Sequence, residues 1–167
     1  MKKHSFSILL AFILVFTLTP NVFATNYIEL DSNHTTEYIY LDNGSYITIT
    51  IITQDVSALS LESATSASVT KTGSKIVTCN DKNGNLEWKY TLFAEYSVVE
   101  GVSATCTSAT YTPTIYDSAW SFSNGNVTKS GNAAYGVGTF KEKFLLVTID
   151  TVNIDISLSC DAYGNIS

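Results

Sequence analysis

Arginine is absent from this chain of 167 residues, so its fixed positive charge rests on nine lysines against fifteen Asp and Glu. Such a chain repels phosphate backbones and has no guanidinium fork to grip them, which makes nucleic acid and anionic membrane surfaces poor partners. Histidine is nearly missing as well: beyond the leader described below only His34 is left, among polar residues ahead of the first sheet-like pattern. Catalysis of the Ser-His-Asp or Cys-His kind would have to be built on that tail, and His34 has no Cys or His at zinc-ligand spacing. Long apolar runs are lacking too. The longest, Ile8 to Leu18, falls short of the roughly 20 residues that a membrane-spanning helix needs.

That run has the layout of an export signal. Lys2 and Lys3 precede it, and Val22 and Ala24 supply the small residues of a cleavage point, so residues 1–24 read as a signal peptide and the mature protein as secreted. Loss of the two lysines leaves seven lysines against fifteen acids, a net charge of −8.

Period-two patterning dominates the rest. Trp88, Tyr90, Leu92, Ala94, Tyr96 and Val98 alternate with mostly polar residues, and Val152, Ile154, Ile156, Leu158 and Cys160 repeat the pattern. Alternation of this kind demands strands with one buried face. Shorter runs at 76–79, 102–108, 119–123 and 133–140 are punctuated by Asn83-Gly84, Asn124-Gly125 and Ser130-Gly131. Phe144 to Ile149 is apolar on both phases, which suits a strand covered on both faces or a bend between sheets. Upstream, Tyr38 to Leu41 and Tyr46 to Thr53 flank Asp42-Asn43-Gly44-Ser45, a hairpin signal. Ser57 to Thr72 is mostly Ser, Thr and Ala, with Leu59 and Leu61 among them, a linker composition with a short helix as the alternative. The expected organisation is all-β: a hairpin segment and linker over residues 25–70, then an antiparallel β-sandwich over 71–167, immunoglobulin-like or a related Greek key.

Three cysteines are an odd count for an exported chain. Cys106 and Cys160 share the inward phase of different strands, so an inter-sheet disulfide is the expectation, with three reduced buried thiols as the alternative. Cys79, with no histidine in its segment, reads as a buried free thiol. Asp81, Asn83, Asn85 and Glu87 invite a calcium reading, but Gly84 stands fourth and Leu92 twelfth where an EF-hand loop needs Gly sixth and Glu twelfth. A hairpin turn explains the same residues. Among possible paired carboxylates, Asp117, Asp150, Asp155 and Glu95 qualify by type, while no spacing selects a pair. Trp88 and Tyr90 fall on the inward phase of their run; Trp120 stands between a core role and a ligand-stacking one.

From Lys71 onward the chain resembles a family of small secreted proteins of Gram-positive, Firmicutes-type bacteria that have no established activity. The residues that carry the likeness are Lys71-Thr72-Gly73-Ser74-Lys75, Asn83-Gly84 with Trp88, Ser103 to Thr107, Ile115 to Trp120, Lys129 to Asn132 and Leu158-Ser159-Cys160 leading to Gly164-Asn165-Ile166-Ser167, with Asp42 to Ile47 upstream. The resemblance implies an all-β exported module and supplies no catalytic residue.

Taken together, the sequence points to a secreted, non-catalytic module with no cofactor or metal. It would bind or assemble at or outside the cell surface, with a protein, a glycan or a second copy joined through the isoleucine-rich strand Ile47 to Ile52 as partner. The alternative is a small glycan-binding or glycan-hydrolysing protein that uses paired carboxylates and exposed aromatics.

Overall fold

The computed structural model describes residues 28–31, 34–55, 68–145 and 147–167; the leader at 1–24 and most of the linker lie outside them. Among the described residues nine strands form two antiparallel sheets. The larger contains β1 (Ile28–Asp31), β2 (His34–Tyr40), β3 (Tyr46–Asp55), β4 (Val69–Asn80), β5 (Leu86–Val99) and β6 (Ser103–Ile115). The smaller contains β7 (Trp120–Ser130), β8 (Ala133–Phe144) and β9 (Val147–Ser159). In each sheet the strands stand in sequence order, so each is an up-and-down meander. The sandwich is as the sequence suggests, but the Greek-key crossing is replaced by a single passage between sheets, at residues 116–119. Short turns are the reason: they close every later connection and keep neighbours in sequence as neighbours in the sheet.

Two of those turns, and a third after β9, are the same device. In Leu41 to Ser45, Asp81 to Asn85 and Asp161 to Asn165, the first N–H donates to the fifth carbonyl and the fourth N–H donates to the first carbonyl. The fourth residue is a glycine at φ near +86°, a conformation that costs other residues energy. Asp81 Oδ1 accepts the N–H groups of Asn83 and Asn85, both at 2.8 Å, and Asp161 repeats this with Tyr163 and Asn165. The Asp81 carboxylate thus serves its own turn.

The core lies between the sheets. On β5 the side chains of Trp88, Tyr90, Leu92, Ala94 and Tyr96 have no exposed surface, and the smaller sheet meets them with Phe140, Ile154 and Leu158. Trp88 stacks on Phe140 with ring centroids 4.0 Å apart, and Trp120, only 7% exposed, meets Trp88 edge-on at 5.9 Å. The tryptophans are core, which settles Trp120. Close approach of the sheets depends on Gly136, above which lie Tyr90 and Leu92 of β5, while Phe122 of the neighbouring strand β7 lies over Gly138.

Three expectations change. The N-terminal hairpin is not a segment apart from the sandwich: β3 pairs with β4 over ten residues, and Ile47, Ile49 and Ile51 pack against the core. Because β2 occupies the other side of β3, the Ile47 to Ile52 backbone is hydrogen-bonded on both sides and offers no edge for a second copy. Residues 69–72 belong to β4 and not to the linker. Phe144 to Ile149 is neither a doubly covered strand nor a bend between sheets but the tip of the β8–β9 hairpin, where Phe144, Leu145, Val147 and Ile149 are 58–81% exposed.

Candidate functional site

Two surfaces concentrate side chains that do polar chemistry. The first is one open end of the interior. Along β7, β8 and β9 the cross-strand row next beyond Phe122, Phe140 and Val152 is Trp120, Glu142 and Asp150, so two acids stand directly opposed where like charges cost energy. The facing sheet brings Cys79 and Glu87. The Cys79 thiol donates to Glu87 Oε2 at 3.2 Å, and the Glu87 carbonyl accepts the Tyr116 and Asp117 N–H groups at 2.8 and 3.0 Å. Asp117 in turn accepts the Ala119 N–H at 2.8 Å, which fixes the corner that delivers Trp120.

The electrostatics follow from this crowding. Desolvation, then the charges of Glu87, Asp150 and Asp117, hold the Glu142 carboxyl above its ordinary value. Burial, then the bond to Glu87 and the neighbouring acids, pushes the Cys79 thiol far up, so this thiol is no nucleophile at neutral pH. Among the described residues no three Asp, Glu, His or Cys groups converge to hold a metal ion. The indole N–H groups of Trp88 and Trp120 are buried without a hydrogen-bond partner among the described residues. Of the four carboxylates named from sequence, Asp117 and Asp150 come to this end; Glu95 points from the outer side of β5, and exposed Asp155 sits opposite Val137. Glu87 and Glu142, their companions, were not among the sequence candidates.

The second surface is the outer face of the larger sheet, turned away from β7–β9. Pairing registers align its side chains in ranks across the strands. One rank is Tyr40, Tyr46 and Asn80; the next is Tyr38, Thr48, Thr78, Lys89 and Thr114; the third is Thr36, Thr50, Ile76, Thr91 and Thr112. Across β2 to β6, Lys89 is the one charged residue in these ranks; the first rank runs on from Asn80 to Leu86, and β1 places Glu29 opposite Thr36 at the edge of the third. The hydroxyls are tied to one another: Thr36 to Thr50 at 3.0 Å, Thr48 to Thr78 at 2.6 Å, with Asn80 Nδ2 donating to Thr78 Oγ1 at 3.1 Å. At the hairpin end the rings of Tyr38 and Tyr40 lie 6.3 and 5.8 Å from that of Tyr46, tilted by 38° and 41°.

The cysteines are three separate buried thiols, and no Cys106–Cys160 bridge is formed. Both are nonetheless drawn to one turn, since the Cys106 N–H donates to the Gly131 carbonyl at 2.9 Å and the Cys160 N–H to that of Asn132 at 3.0 Å. Tyr96 passes between the sheets beside them and donates from its hydroxyl to the Leu158 carbonyl at 2.6 Å. The backbone of His34 lies in β2, opposite Ile52.

Comparison with protein-family models, with curated proteins and with solved structures found no match to this chain.

Proposed function

We propose that the chain is an exported, non-catalytic β-sandwich module that binds at or outside the cell surface through the outer face of its larger sheet. The observation that carries this reading is the composition of that face. A sheet face exposed only to solvent is kept soluble by interspersed charges; from β2 to β6 the three ranks have one lysine, Ile76 and Leu86, and otherwise hydroxyls, phenols and an amide, many of them bound to one another, with Glu29 of β1 at the edge. Side chains held in place this way lose little freedom on meeting a partner, which favours binding. The leader composition of residues 1–24 and the resemblance to small secreted Gram-positive proteins support an extracellular setting.

Retention of the purified protein on isolated envelopes of the producing bacterium tests the reading. Thr91→Lys with Thr112→Lys abolishes retention; undiminished retention with both lysines in place refutes the face as the contact. A second reading, glycan hydrolysis, is favoured by the opposed Glu142 and Asp150, because a proton held on one of two close carboxyls is what a general acid requires. Release of reducing ends from polysaccharide, lost in Asp150→Asn, would establish that reading in place of the first.

A further inference from the structure

From the hairpin end of this same face we infer a binding site for a neutral polysaccharide, with Tyr38, Tyr40 and Tyr46 as its stacking platform. The inference rests on the outer-face reading and adds the class of ligand. The three phenols form one cluster, with Tyr40 44% exposed. Sugar rings present C–H faces that lie on aromatic rings, whose faces carry negative charge density, while their hydroxyls need donors and acceptors at the ring edge. Such groups stand beside the platform. Thr48, Thr78 and Asn80 form a hydrogen-bonded chain in the same two ranks as the tyrosines, and each has hydrogen-bonding capacity left over.

Charge selects the neutral class. The chain as a whole is at −6, yet the patch has no carboxylate within it. Lys82 and Lys89 at its border are matched by Asp42 and Asp81 in the two adjoining turns, which leaves no net field to attract an anionic polymer. The two hairpin ends lie side by side: a methyl group placed on Gly44 would lie 3.4 Å from Lys82 Cβ, and one on Gly84 would lie 3.6 Å from the Tyr46 hydroxyl. The platform therefore continues from one hairpin to the next without a step. From β2 to β6 the face spans roughly 19 Å at about 4.8 Å per strand, room for several sugar residues in a row.

The test is depletion of the full secreted chain from solution by microcrystalline cellulose and by insoluble mannan, with polygalacturonate as the anionic control. Binding to at least one neutral polymer and not to the control is expected. Tyr40→Ala and Tyr46→Ala each weaken it roughly 2- to 10-fold, while Tyr40→Phe binds as the parent does. In the unsubstituted protein, bound polymer slows nitration of these tyrosines by tetranitromethane, a readout that does not depend on a variant's folding. Absence of binding to either neutral polymer, equal binding by the Tyr40→Ala/Tyr46→Ala double variant, or nitration unchanged by bound polymer overturns the inference. If the Thr91 and Thr112 lysines abolish envelope retention while neither neutral polymer binds, the face has a protein or peptide partner, and only the glycan assignment falls.

Discussion

Replacing Gly138 by alanine tests the packing of the aromatic interior most directly. The added Cβ would lie 2.5 and 2.6 Å from two ring carbons of Phe122, well inside van der Waals contact. That ring has little room to retreat, being in contact with Phe140 at 4.9 Å and set against Tyr90 and Tyr111 at 6.1 and 6.2 Å. Overpacking of a filled core costs about 1–3 kcal/mol. Against this, alanine relieves the entropic penalty of glycine inside a strand, about 0.5–1 kcal/mol. The net loss is on the order of 0–2.5 kcal/mol, or a fall in Tm of up to roughly 10 °C at about 2–4 °C per kcal/mol for a domain near this size. Gly136→Ala belongs at the lower end. Its Cβ meets the Tyr90 hydroxyl at 2.7 Å, and that hydroxyl can swing away at the expense of its 3.3 Å bond to the Val137 carbonyl. Gly131→Ala is the control: nothing lies within 4 Å, so its cost comes from φ of +56° alone. Calorimetry of the three variants decides. If Gly138→Ala melts at or above the parent temperature while Gly131→Ala melts lower, β8 does not approach the rings and the reasoning fails.

Thiol accessibility gives a second prediction: the native protein fails to react with an aromatic disulfide reagent at pH 8, since burial pushes up all three thiols, and three thiols titrate in urea. A single reactive thiol in urea would reveal a bridge between the other two. Alkaline titration gives a third. Burial, then the charge on Tyr111, pushes Tyr90 up to about 12, and burial, then Cys106 and Cys160, raises Tyr96 as well. Above about pH 10 the unfolded chain releases phenolic protons that the folded one retains, so the urea midpoint falls as pH rises further; a flat midpoint from pH 9 to 11.5 would contradict this. Tyr96→Phe removes part of that slope and, by deleting its bond to the Leu158 carbonyl, costs about 0.5–1.5 kcal/mol at neutral pH, measured by the same urea titration.

Strands with one wet and one dry face were legible because the alternation is local: the even positions of Trp88 to Val98 and of Val152 to Cys160 are the buried side of β5 and β9. The acidic end was not legible. Glu142 meets Asp150 only through the register of β8 with β9, a shift near Glu142 included, and no spacing along the chain encodes a bulge. The tyrosine cluster has a faint signal in the sequence, since Tyr40 and Tyr46 lie nearly symmetric about the Asn43-Gly44 turn and pair directly; the isoleucines on the opposite phase are the more conspicuous pattern. Phe144 to Ile149 misled because an apolar run is normally a buried one. Leu145, at φ of +48°, occupies a turn position where glycine or asparagine is usual, so the turn was hidden by its own residues.

The single passage at residues 116–119 has a consequence for biosynthesis. Emerging N-terminus first, the chain can zip up its larger sheet from neighbouring hairpins, a route with little loop-closure cost. The aromatic row of β5 then stands bare until residues 120–158 have followed and laid the second sheet over it. During that interval the nascent protein shows a sticky ribbon to its surroundings, so chaperones have a defined stretch to shield, and a ribosome that stalls near residue 119 releases a species prone to clump.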